Sequence, residues 1–65
     1  MTTKRFTGRV PVRMDCYSPT GLMQAVQAVV SREQRRSTLG YRLVEITADP
    51  DDELKKLVTI EVLYK

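Results

Sequence analysis

Histidine and tryptophan are absent from this 65-residue chain, and cysteine occurs once, at Cys16. Without histidine the commonest general base and the commonest neutral metal ligand are missing, so Ser–His–Asp and Cys–His nucleophilic arrangements are excluded. One thiol rules out an internal disulfide, and no Cys/His cluster exists to hold a structural metal. Three scattered glycines leave no phosphate-cradling loop. Carboxylate-only catalysis would need acids gathered in a cleft. Five of the eight acids instead fall between Glu45 and Glu53, four of them in an evident turn that lacks the spacing and central glycine of a calcium loop. The expectation is a non-enzyme with no catalytic, cofactor-binding or metal-binding residues. No apolar run approaches the roughly 20 residues that span a bilayer. Met1 to Arg5 leads into a strand pattern rather than a signal-peptide core, so no membrane association and a cytoplasmic location are expected.

What the chain has is periodicity. From Arg5 to Cys16 small or apolar residues (Phe6, Gly8, Val10, Val12, Met14, Cys16) alternate with polar ones and Pro11. A period of two predicts a strand with one face on a core and the other in water. Cys16 falls on the apolar side, where a thiol behaves as a small hydrophobe. Ser18 and Pro19 read as a helix entrance, a serine oxygen accepting an orphan amide and a proline whose missing N–H costs nothing there. Leu22, Met23, Ala25, Val26, Val29 and Val30 share an arc of roughly 160° when each residue advances about 100°. That predicts one amphipathic helix reaching about Arg36, with Arg32, Arg35 and Arg36 in its last turn near the free carbonyls. Gly40 is then the expected exit from the helix, with Ser37 to Leu39 already irregular as the alternative.

Tyr41 to Ala48 is rich in β-branched and aromatic residues, Asp49 to Glu53 reads as a turn, and Leu57 to Tyr64 alternates again. The predicted fold is α+β, one domain over residues 1–65 in the order β-α-β-β. It has a three-stranded antiparallel sheet and the helix packed on one face. An all-antiparallel sheet needs the last strand in the middle, and Pro11, which cannot donate to a ladder, suits an edge strand. The runner-up puts the second strand in the centre beside the first, through a right-handed helical crossover.

If Val44, Ile46 and Ala48 face the core, Tyr41 and Leu43 lie on the opposite side with Leu57 and Leu63, so the hairpin is apolar on both faces. Contiguous exposed apolar surface marks an interaction site more often than chance. The expected partner-binding residues are Tyr41, Leu43, Leu57 and Leu63, with Arg9 and Arg13 on the adjoining outward face. A chain of this size buries only about 60% of the surface its unfolded form exposes, and with no disulfide or metal, self-association is the remaining staple. Charge is polarised. Residues 1–38 hold seven Lys/Arg against Asp15 and Glu33, whereas residues 39–65 hold four against six acids, a balance of +5 against −2.

The pattern Ser18-Pro19-x-x-Leu22-x-x-Ala25-Val26-x-x-Val29, followed by Leu43-Val44-Glu45-Ile46 and Val58-Thr59-Ile60-x-Val62, resembles the dodecins. These are small cytoplasmic flavin-storage proteins of the same element order that assemble into hollow dodecamers. The resemblance implies self-assembly. It departs where that family stacks flavin on a Trp, which falls near Gly40 or Tyr41 here, and at its Gln entering the last strand, where this chain has Leu57. The function expected from the residues is a non-catalytic protein-binding module acting by contact, either with itself as a homo-oligomer or by capping a partner, in the manner of small phage inhibitors. Two alternatives stand beside it: a dodecin-like flavin store, and a weak nucleic-acid binder using a stripe formed by Arg5, Arg9, Arg13, Arg32, Arg35 and Arg36.

Overall fold

The computed structural model describes all 65 residues. Three strands and one helix follow in the order β1 (Thr2–Pro11), α1 (Pro19–Val29), β2 (Thr38–Ala48) and β3 (Lys55–Tyr64). The sheet is antiparallel throughout with β3 in the middle, in the order β1-β3-β2. This is the predicted α+β architecture, and Pro11 ends an edge strand as expected.

The first strand is displaced from its predicted span. It begins at Thr2, because β3 runs on to Tyr64 and supplies a pairing partner there, and it leaves the sheet after Pro11. Past that point the Met14 amide donates to the Pro11 carbonyl at 3.0 Å and closes a turn, and the Val12 amide donates to Leu54. Lys56 Nζ, projecting from β3, donates to the Met14 carbonyl and pins the loop. Val12 is consequently exposed, whereas Cys16 enters the core from a loop and not from a strand.

Helix α1 starts as the sequence indicates. Ser18 is extended (φ −77°, ψ 152°) and its Oγ accepts the Gly21 amide at 3.0 Å, with Pro19 in the first turn. The same hydroxyl donates to the Asp15 carbonyl. The helix stops at Val29, seven residues before its predicted end, so the three arginines do not lie in its last turn. Val30 is extended (φ −106°, ψ 120°) and swings its side chain into the core. Ser31 then starts a separate turn, its Oγ accepting the Gln34 amide at 3.3 Å and donating to Gln34 Oε1 at 3.0 Å, a serine–glutamine capping arrangement. Exit from this segment is through Ser37, at φ 59°, and not through Gly40, which lies within β2 opposite Leu63.

Val10, Cys16, Ala25, Val26, Val30, Val58, Ile60 and Val62 form the core between helix and sheet. Alternation sends Val58, Ile60 and Val62 of β3 to the helix side and leaves Leu57, Thr59, Glu61 and Leu63 on the other. No Cβ stands between Gly8 and Val29: one added at Gly8 would approach Val29 Cγ2 to 3.0 Å, so the glycine sets how closely α1 approaches β1. The helix packs on β1 and β3 rather than on β2. Only ten residues are buried, a small core that leaves one sheet face without a covering layer.

Two substitutions test this local structure by chemical denaturation. A Cβ at Gly21 would collide with the Asp15 carbonyl, so Gly21→Ala is expected to cost at least about 3 kcal/mol, at the large end for single changes. Ser37→Gly removes the left-handed penalty of a side chain and is expected to raise stability by about 0.5–1 kcal/mol. A neutral Gly21→Ala would show that the loop of Asp15 does not cross the helix start.

Candidate functional site

On the face away from the helix, the ladder register sets side chains in rows across the three strands. Thr3, Leu63 and Gly40 form one row, then Arg5, Glu61 and Arg42, then Thr7, Thr59 and Glu45, then Arg9, Leu57 and Thr47. Each row has its middle member on β3.

The second row is an ionic clamp. Glu61 receives Arg5 Nε at 3.2 Å from one side and Arg42 at 3.0 Å from the other, so one carboxylate ties both edge strands to the centre. In the third row the Thr7 and Thr59 hydroxyls share a hydrogen bond at 2.8 Å. Arg9 in the fourth row reaches beyond β3 to the turn after β2. Its Nε lies 2.8 Å from Asp49 Oδ2, and its Nη2 donates to Asp51 at 3.1 Å. Asp49 has no exposed side-chain area, and its Oδ1 accepts the Asp51 amide at 2.9 Å, which shapes the turn. Its Oδ2 accepts no well-aligned hydrogen bond, so the contact with Arg9 is an ion pair and not a directed bond. The acidic loop thus acts as a buckle for β1.

The six residues expected to bind a partner are not brought together. Leu57 and Leu63 do lie on the open face, half-buried, but Thr59 and Glu61 separate them by about 20 Å of strand. Tyr41 and Leu43 lie on the opposite, helix-side face, paired with Val62 and Ile60 and packed against the core. The reason is a β-bulge. Between Leu43 and Glu45 the register slips by one residue, with Val44 unpaired, so Leu43 and Ile46 point to the same face although they are three apart. Tyr41 and Leu43 remain half-buried because α1 covers β1 and β3 but not β2. Arg9 is on the open face as expected, whereas Arg13 lies in the loop after β1 and takes part in no ion pair.

The six-arginine stripe is not assembled either. Arg5 and Arg9 are engaged by carboxylates on the open face, while Arg32, Arg35 and Arg36 gather around a concavity beside Met23 and Tyr41. Sequence reading missed the Arg5–Glu61–Arg42 clamp. Its signal was available in the pattern of charges once β3 is placed centrally, since Arg5 and Arg42 both register with Glu61. No helix is long and apolar enough to cross a membrane.

The two carboxylates that hold Arg9 are separable by experiment. Asp49→Ala removes a fully covered acceptor and is expected to cost about 2 kcal/mol, whereas Asp51→Ala, at an exposed site, should cost about 0.5 kcal/mol or less. Equal losses in urea unfolding would show that Asp49 is not the buckle. No protein-family model matches the chain, and no similar protein was found among curated proteins or among solved structures.

Proposed function

We propose that this chain is a non-catalytic module that works by contact, and that the surface it offers is the open sheet face, docked on a second copy of itself. The observation that carries this reading is the self-complementary order of side chains along that face. Leu57 and Leu63 stand symmetrically about the level of Ile60, with Thr59 and Glu61 between them. A two-fold axis lying across the strands at that level sets Leu57 of one copy over Leu63 of the other, twice.

Charge follows the same symmetry. Arg42 registers with Glu61 and Glu45 with Thr59, one row to either side of the axis, so each Arg42 faces a Glu45 across the interface. Such an isologous contact satisfies both copies with one patch. Two sheets stacked in this way form a sandwich with a separation of about 10 Å and strand directions within about 30°. The clamp on Glu61 means that its charge is already paired before docking, which lowers the cost of taking it out of water. Large apolar side chains supply the affinity and the Arg42–Glu45 pairs set the register.

Self-assembly is also what the resemblance to the dodecins implies. Quenching of flavin fluorescence on titration with the protein tests the ligand half of that resemblance separately.

Sedimentation equilibrium decides the proposal. The wild-type chain is expected to run at twice its 7.5 kDa mass, and Leu57→Asp with Leu63→Asp to run as a folded monomer with an unchanged circular dichroism spectrum. Glu45→Arg, which leaves the clamp on Glu61 in place, should weaken the dimer about tenfold, equivalent to about 1.4 kcal/mol. A wild-type monomer, or a dimer indifferent to these changes, overturns the reading.

A further inference from the structure

The segment Ser31–Ser37 gathers positive charge without any partner. Arg35 donates its amide to the Ser31 carbonyl at 3.1 Å and Arg36 donates to Glu33 at 3.3 Å, so the segment winds as a single helical turn. Arg32, Arg35 and Arg36 stand at i, i+3 and i+4 on this turn and therefore on one side of it. Like charges at that spacing repel. None of the three is in an ion pair, since those of the structure involve Arg5, Arg9 and Arg42 only, and Glu33 is the single acid of the segment.

The three arginines line an open concavity of about 450 Å³ together with Met23 and Tyr41. Its floor is fixed. The Thr38 hydroxyl donates to the Arg35 carbonyl at 3.0 Å and shares a hydrogen bond with the Tyr41 hydroxyl at 3.1 Å, which joins turn, strand and aromatic ring. Arg35 is half-buried beside this floor, whereas Arg32 and Arg36 are exposed.

We infer that Arg32, Arg35 and Arg36 form a binding site for a phosphate dianion. Three planar forks match the several acceptor oxygens of a phosphoryl group better than the two of a carboxylate. Met23 and Tyr41 give one wall an apolar and aromatic surface, which suits a phosphate ester with a flat organic body over the bare ion. The site lies beside the helix and shares no residue with the Leu57–Leu63 face, so it is independent of the docking proposed above.

The test is titration of the wild-type chain, followed by amide chemical shifts, with inorganic phosphate, with phenyl phosphate and with sodium chloride at matched ionic strength. Both phosphates are expected to shift the amides of residues 31–41 saturably and chloride is not, with phenyl phosphate binding several-fold tighter through Tyr41 and Met23. Arg32 and Arg36 are exposed, and Arg32→Gln with Arg36→Gln should weaken phosphate at least about tenfold while the sedimentation behaviour stays that of the wild type. Arg35→Lys keeps the charge but loses the planar fork, and it should also weaken binding. Equal shifts from chloride, retention of affinity in the double variant, or binding of a short oligonucleotide without binding of either phosphate would each overturn the inference.

Discussion

Everything in this molecule depends on β3 sitting between two partners and serving two faces at once. Val58, Ile60 and Val62 are fully buried under α1, and the intervening Thr59 and Glu61 hold β1 and β2 through a shared hydroxyl bond and a two-sided ion pair. A strand at the edge could not make both sets of lateral contacts. The central position follows from direction alone: β1 and β2 run parallel to each other, and an antiparallel sheet accommodates them only on either side of β3. One helix of eleven residues is then too small to roof three strands of ten or eleven. It settles over β1 and β3, leaving β2 half-covered and the second face bare.

That geometry was legible in the sequence where period and end signals agreed, and illegible where one residue changed the phase. Strict alternation in β3 reads correctly because the strand has no bulge. In β2 the same rule assigns Tyr41 and Leu43 to the wrong face, since it carries the phase of Ile46 backward through Val44 as though the strand were regular. A bulge inverts the facing of every residue on one side of it, and no residue in Leu43-Val44-Glu45 announces one: no glycine is there, and Val is an ordinary strand residue. What selects the bulge is the demand of the core for Leu43 opposite Ile60 and Ile46 opposite Val58 together, a tertiary requirement that local pattern does not contain.

The helix end is a different case, because its signal was present. Ser31 stands three residues before Gln34, the spacing of a cap, but the run of valines before it and arginines after it sustains the helical period on paper. Hydrogen bonding to the serine wins locally, since α1 has already buried its apolar stripe by Val30 and gains nothing from another turn. The first strand ends early for a related reason. Alternation continues through Val12, Met14 and Cys16, yet beyond Pro11 the β3 strand has no residue left to pair, and the loop is instead tied by Lys56 and Leu54.

Folding also rearranges the charge that looks so uneven along the chain. Arg5 and Arg9 come from the basic half, and Glu61, Asp49 and Asp51 from the acidic half, so the open face joins the two halves ion by ion. Two of the seven cations of the basic half are thus engaged inside the molecule, holding β1 to the rest of the sheet. The arginines of the Ser31–Ser37 turn take no share in this. They lie beside Met23 and Tyr41, with no carboxylate within ion-pair distance. On the open face Arg5, Arg9 and Arg42 are held by carboxylates, and Glu45 is the row member left without a cation, which the proposed contact with a second copy supplies. A turn whose charges are unmatched suits a mobile anion instead, which can supply what the chain does not.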